Sequence, residues 1–255
     1  MYHFEPADAP SGEMRNAYLD GLSEHQEYFL EQLVSGSDTW CLPDCAYVVA
    51  DGRQIVEFFV KPAFRPDAAA IFDAARAAAG ADLALCKSFD TQMLGPALAG
   101  PARVTATGIL FRSFRDRPVE RHPELTFRNA GSDDVAAVRA LDDDGFFENT
   151  KEIEDLVKTR SLHLAERGAE IVGCGTSIRV NPGRPAIDLG MLVARAERGK
   201  GYGSHIIAHM KDRVLEQGLA PVCGCAARNR ASHRALVKAG FEGDHRLLKI
   251  EFDAD

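Results

Sequence analysis

Val193-Ala-Arg-Ala-Glu-Arg198-Gly-Lys-Gly201-Tyr-Gly203 lies between an apolar run and an amphipathic one, and the other assignments in the chain hang from it. The run before it, Ala186–Val193, reads as a strand. After it, Ile206, Ile207, Met210 and Val214 recur at helical spacing, and Gly218 follows where a helix from Tyr202 to Gln217 would stop. Glycines at 199, 201 and 203 remove side chains where a ligand would approach the backbone. A helix N-terminus offers unpaired N–H groups and a partial positive charge. Arg198 and Lys200 add full charges, so the turn suits a phosphate or pyrophosphate. The P-loop pattern GxxxxGK[ST] is absent, and a dinucleotide fingerprint begun at Gly199 fails at Ser204. A glycine turn without a ligand is the plain alternative.

Working outward, Leu125–Arg128 reads as a short strand and Ser132 as the cap of a helix carrying Val135, Val138 and Leu141. Asn149 and Glu152 have capping-box spacing and open a helix to Arg160. Ser161–Glu166 and Glu170–Ile178 read as two strands around Arg167-Gly168. Beyond the glycine turn come a strand Ala220–Ala226, a helix Ala231–Ala239 and a last strand Leu247–Phe252. The polar stretch Phe114–Glu124, with Pro118 and Pro123, sets a boundary near residue 122. In the first half the patterns predict a helix over Gly12–Val34, then strands Cys45–Val49 and Gln54–Val60. A helix Asp67–Ala79, a strand Leu83–Lys87, a short helix Thr91–Leu98 and a strand Val104–Phe111 follow.

Arg198-x-x-Gly201-x-Gly203 resembles the R/Q-x-x-G-x-G/A signature of the GNAT superfamily of acetyl-CoA-dependent acyltransferases. Asn229-x-x-Ser232 and then Lys238-Ala-Gly240-Phe241, 31 residues on, resemble the family's second segment. The resemblance covers about residues 125–253. It implies an α/β (α+β) fold, a mixed, mostly antiparallel sheet flanked by helices, and transfer of an acetyl group from acetyl-CoA (coenzyme A) to an amine.

Carried over residue by residue, the resemblance implies that the backbone from Arg198 through Gly199, Lys200, Gly201, Tyr202 and Gly203 to Ser204 holds the pyrophosphate. Arg198 and Lys200 would neutralise it, and the Val193 backbone would pair with pantetheine. Gly190 is a plausible bulge residue, which would turn the Leu192 N–H toward the thioester oxygen. Asn229 would bond near pantetheine, or simply cap the next helix. Asp188, two residues before Gly190, is the candidate base, with a structural or substrate-orienting role as its alternative. His163 and Glu166 are weaker candidates. Many members place a tyrosine acid seven residues after the asparagine, and here that position is Leu236. His233 is a substitute if its helix face is right, and otherwise an exposed histidine. The acidic and aromatic run Asp142–Glu148 borders the acceptor region in the family and would accept a cationic amine, or serve as a solvated loop.

The first half reads as a worn repeat. Val60-Lys-Pro62-Ala-Phe-Arg65-Pro-Asp67-Ala68-Ala-Ala70 keeps the Val-to-Arg spacing of five, but Ala68 and Ala70 stand where Gly201 and Gly203 stand. Two tandem GNAT-like domains are therefore expected. Residues 1–122 would form a degenerate copy lacking the pyrophosphate motif, and 123–255 the acetyl-CoA-binding acetyltransferase.

Composition narrows the function classes. The 255 residues carry 30 Lys and Arg against 38 Asp and Glu, a net charge of −8 that disfavours general nucleic-acid binding. Dividing that charge gives −6 for residues 1–122 and −2 for 123–255, with +6 inside 195–249. No apolar run reaches the roughly 18 residues of a membrane span, and the N-terminus lacks secretory features, so a cytoplasmic protein without a membrane partner is expected. The six cysteines show no C-x2-C pair and no metal site is expected. Cys223 and Cys225 share a strand face and read as core thiols, with a covalent mechanism as the lesser alternative. The leading expectation is an N-acetyltransferase for a small-molecule or amino-acid-like amine, and a homodimer stays open. The alternatives are a CoA-binding sensor with little turnover and a protein lysine or N-terminal acetyltransferase.

Overall fold

The computed structural model describes residues 2–252. In chain order the first elements are β1 (Glu5–Ala7), α1 (Gly12–Gly21), α2 (Tyr28–Gly36), β2 (Asp38–Leu42), β3 (Ala46–Asp51) and β4 (Gln54–Val60). Next come α3 (Ala68–Ala79), β5 (Leu83–Lys87), α4 (Thr91–Ala97), β6 (Ala102–Phe111), β7 (Ser113–Phe114) and β8 (Leu125–Asn129). Then follow α5 (Val135–Leu141), α6 (Thr150–Lys158), β9 (Leu162–Arg167), β10 (Glu170–Arg179) and β11 (Ala186–Val193). The last are α7 (Tyr202–Glu216), β12 (Ala220–Ala226), α8 (Arg230–Lys238), β13 (Phe241–Glu242) and β14 (His245–Phe252).

The chain forms two compact units. Unit 1 takes the described residues of Met1–Leu110, Ala226–Arg228 and Asp244–Asp255; unit 2 takes Phe111–Cys225 and Asn229–Gly243. This division differs from a single cut at residue 122. β14 is laddered on one edge to β5 and on the other to β6, so the last strand of the chain belongs to unit 1. An apolar pattern predicts a strand but carries no address for the sheet it joins.

Unit 1 has the strand order β1-β2-β3-β4-β5-β14-β6. Its β1 to β4 run antiparallel, and β4 and β5 pair in parallel only at Gln54↔Leu83 and Ile55↔Ala84. Unit 2 repeats the plan with β8-β9-β10-β11-β12. Its first four strands are antiparallel, and β11 and β12 pair in parallel only from Ala186↔Ala220 to Asp188↔Val222. Both sheets are thus mixed and mostly antiparallel, with helices against them.

The helix expected over Gly12–Val34 is two helices. Leu22 and Glu27 are extended, and the intervening segment buries Gln26 and Glu27. Those side chains need a polar interior partner, and Gln26 Oε1 accepts from Lys87 Nζ at 3.0 Å. That interior demand breaks the helix.

In unit 2, α7 buries Ile206, Ile207, Met210 and Val214, about 2 kcal/mol each by area. It lies close to β10 because Gly173 and Gly175 face it. A Cβ on Gly175 would come within 3.0 Å of both Ile206 and Met210. The opposite sheet face packs Val138, Phe147, Ile153, Leu156 and Leu192. This packing sets the N-terminus of α7 beside the end of β11. No helix among the described residues is long and apolar enough to cross a membrane.

Candidate functional site

Where β11 and β12 part, unit 2 opens a cleft of about 620 Å³. Leu189 to Val193 form one wall and Gly224 and Cys225 another. The turn from Glu197 to Ser204, less Lys200, closes one end, and Asn229, Ser232, Ala235 and Leu236 line the α8 side.

The ladder decides which backbone groups face this cleft. Ala194 N–H donates to the Val172 carbonyl at 2.9 Å, and Val180 N–H to the Ala186 carbonyl at 3.1 Å. Hydrogen bonding alternates along an antiparallel pair, so the even-numbered residues of β11 address β10. Leu192 therefore spends its N–H on Cys174, its opposite residue. Burial pushes the Cys174 thiol up to about 12, partly offset by a hydrogen bond from that same N–H. The expected oxyanion donor at Leu192 is thus corrected by one residue: Met191 and Val193 turn their backbone edges to the cleft. The expected bulge is also absent, because β10 and β11 stay in register through Thr176↔Gly190. Gly190 is needed for space instead. A Cβ there would meet Thr176 Oγ1 at 2.5 Å and Phe146 at 2.8 Å. The strand edge is exposed by the divergence of β12, with no bulge required.

The glycine turn folds as its sequence demands. Gly199 and Gly201 have φ of 83° and 88°, and Gly201 is the N-cap of α7. A Cβ at Gly201 would lie 2.8 Å from His122 Nε2. The first intrahelical bond is His205 N–H to the Gly201 carbonyl, so the N–H groups of Tyr202, Gly203 and Ser204 have no partner one turn back. Ser204 Oγ donates to the Gly201 carbonyl at 2.7 Å and fixes the turn. These N–H groups and the space left by absent Cβ atoms fit a pyrophosphate.

Neither expected cation stands apart from carboxylates. Arg198 Nε donates to the Val193 carbonyl at 3.1 Å, and its Nη1 lies 2.8 Å from Asp144. Lys200 Nζ donates to the buried Glu197 at 2.9 Å, and Arg167 donates to both Glu197 oxygens. Lysine and arginine together hold the Glu197 carboxyl below its ordinary range. Behind the turn, Tyr202 is edge-on to His122 at 4.9 Å, and His122 N–H donates to His205 Nδ1. Arg167, Glu197 and His122 are not legible along the sequence as a support for the turn, because they come from three separate segments.

The other expectations sort by geometry. Asn229 caps α8, its Oδ1 accepting from Ser232 N–H at 3.0 Å, and also lines the cleft. His233 lies outside the cleft lining, with its ring 5.8 Å from Phe111. Leu236 does line the cleft, at the position where a tyrosine was expected. Asp188 ends the parallel ladder and is half-buried, on the strand face of Gly190 and Leu192. His163 is under α7, where burial, then Arg213 and His209, depress it to about 4. Glu166 pairs with Arg128 at 2.8 Å. Asp142 accepts from Phe146 N–H at 2.7 Å and Phe147 N–H at 2.9 Å, so it builds its loop rather than binding a ligand. Cys223 is buried, while Cys225 reaches the cleft wall. Among the described residues no group of three or more His, Cys, Asp or Glu side chains is placed to hold a metal.

Comparison with known proteins agrees with this geometry. Residues 126–241 match the acetyltransferase (GNAT) family. An acetyltransferase of the GNAT family from Colwellia psychrerythraea superposes with a TM-score of 0.88 at 16% identity, covering 99% of this chain and 100% of that one. A tandem GNAT protein from the clavulanic acid biosynthesis pathway gives 0.64 at 14% identity, with 99% of both chains covered. A GCN5-related N-acetyltransferase from Sphaerobacter thermophilus gives 0.59 at 18% identity, over 96% of this chain and 86% of that one. At these identities the likeness is one of fold. No curated protein matches the chain. Residues 126–241, with both signatures inside them, thus match the acetyltransferase (GNAT) family, and the whole length of the chain is folded like solved GNAT proteins.

Proposed function

We propose that unit 2 binds acetyl-CoA and passes its acetyl group directly to the amine of a small acceptor. The observation that carries this is the parting of β11 from β12 after Asp188, beside the N-terminus of α7. A strand edge beside a helix N-terminus matches a ligand with an amide-bearing arm and a pyrophosphate. Bound acetyl-CoA supplies an activated acetyl thioester. The Tyr202, Gly203 and Ser204 N–H groups take the phosphates, and the edge of Met191 and Val193 orients the arm and offers donors for developing oxyanion charge. Asp188, on the Gly190 face of β11, takes the amine proton, and the C–S bond breaks as the C–N bond forms. The released thiolate takes its proton from solvent, since Leu236 offers none. Unit 1 we read as a copy without that activity, since Asp67, Ala68 and Ala70 would oppose a pyrophosphate.

The test is thiol release from acetyl-CoA with a panel of small amines, with peptide amines as the control class. Release that depends on a small amine is expected. Tight binding without release under any amine would favour a sensor, which Leu236 at the tyrosine position supports. Release only with peptides would move the acceptor to protein.

A further inference from the structure

Within unit 2, the polar stretch Phe114–Glu124 is fastened to α7 at two levels. Arg121 Nη2 donates to Asp212 at 2.8 Å, an exposed ion pair. Nearer the glycine turn, the His122 backbone N–H donates to His205 Nδ1 at 3.1 Å, and His205 is buried. The His122 ring then covers the start of α7. It is edge-on to Tyr202, and its Nδ1 donates to Glu124 Oε1 at 3.2 Å. Its Nε2 is buried against Gly201 with no partner among the described residues. The turn proposed to hold the pyrophosphate is thus backed by this stretch, and one imidazole holds the stretch from behind.

That bond exists in one protonation state only. Neutral imidazole keeps one nitrogen bare to accept an N–H, whereas imidazolium carries N–H on both and accepts nothing. Around His205 stand Arg121, His122 and Glu124 from the polar stretch, His209 from α7 and the Phe127 ring of β8 at 5.3 Å. His209 in turn meets Asp212 and Arg213 of α7 and His163 of β9. Burial, then Arg121, His122 and His209, push His205 below its ordinary 6.5, and Glu124 opposes them. The bonded state therefore favours neutral His205. Its contribution is full above about 6.5 and is lost as pH falls through the lowered value.

We propose that His205 is a proton-operated latch, which when neutral fixes Phe114–Glu124 behind the glycine turn and when protonated releases it, so that acid loosens the hold on CoA. His205 and His122 are then positioning residues. The effect on CoA rests on the transferase reading, whereas the release of the stretch does not.

The experiment titrates the full chain by NMR from about pH 8 to about pH 5, as wild type and as His205→Asn. Asparagine keeps an acceptor oxygen near the place of Nδ1 and takes no proton. In wild type, the exchange protection of the His122 N–H is lost with the midpoint of the His205 ring; in His205→Asn it stays level. Calorimetry with CoA over the same range shows wild-type affinity falling about fivefold further than that of His205→Asn, the scale of one hydrogen bond. The phosphate monoester of CoA titrates near pH ~6 against both proteins and cancels in the comparison. Saturating CoA moves the His205 midpoint down by a matching amount, because such coupling is reciprocal. Protection indifferent to pH, or lost with a midpoint other than that of His205, overturns the latch, and wild type alone decides this if the variant does not fold. Equal CoA profiles in the two proteins overturn its tie to the turn. Affinity that rises in acid in wild type alone overturns the sense of the coupling and makes the imidazolium a phosphate ligand. A latch that titrates in a wild-type protein binding no CoA at any pH overturns the transferase reading and leaves the latch standing.

Discussion

β4 and β11 part from their parallel neighbours in the same manner, yet the turns that follow them are built for opposite ends. After β11, two glycines with positive φ swing the chain so that α7 begins with unpartnered N–H groups facing a cleft. After β4, a 3-10 turn over Pro62–Asp67 runs into α3, and Ala68 is ordinary right-handed helix with φ of −55°. Tyr2 donates to Asp67 at 2.9 Å, so an internal carboxylate and phenol occupy the start of α3. The strands differ in the same sense. Three residues before Val193 is Gly190, with space taken by Phe146; three before Val60 is Glu57, fully buried and bonded by Arg15 and Tyr47. Nearby, Lys87 contacts Tyr18, Gln26 and Asp90, all of them buried. One plan thus yields an open cleft when glycines strip the turn and strand, and a sealed polar interior when side chains fill them.

The sealed side gives the largest expected effect. Asp90 accepts from Tyr18 at 2.6 Å, caps α4 through Met93 N–H and faces Lys87. Asp90→Ala strands a buried lysine and is expected to cost about 3–5 kcal/mol in denaturant unfolding; a cost below ~1 kcal/mol would show the cluster to be incidental. Next is the buried histidine of the open unit. His163, 5% exposed, has its pKa lowered to about 4 from 6.5. Its contribution is full above ~6.5 and is lost as pH falls toward 4, up to about 3 kcal/mol. His163→Gln should flatten that part of the stability profile.

The comparison of turns is sharpened by Gly201→Ala, which combines positive φ with a clash on His122. CoA affinity is expected to fall about 100-fold, of order 2–3 kcal/mol. A fall under threefold would break the contrast between the two turns. The converse, Ala68→Gly with Ala70→Gly, should give unit 1 no CoA binding, because Asp67 and Tyr2 remain. The smallest effect is that of His233→Ala. Its ring packs on Phe111 outside the cleft, so turnover should stay within about twofold of wild type.

Much of this was legible along the chain. β11, the glycine turn, α7 and β12 were placed to within a residue or so, because local periodicity and glycine chemistry govern them. Asn229 was legible as a cap for the same reason. Which N–H groups of β11 face the cleft was not, because a one-residue change in ladder parity reverses which backbone edge an N–H addresses, and that parity was fixed by Ala194 bonding Val172. The facing of His233 stayed open in the sequence because helical facing depends on where the neighbouring sheet lies. The break between α1 and α2 was hidden because its cause, Lys87, is some 60 residues away.

By itself, the sequence determined the order of strands and helices, the glycine turn and the family signatures within residues 126–241, since each depends on neighbours within a few residues. Tertiary structure decided that β14 completes unit 1, that Arg198 is held by Asp144 and Val193, and which N–H groups look into the cleft. Those outcomes depend on pairings between distant segments, and only the folded chain selects among the pairings its local patterns allow.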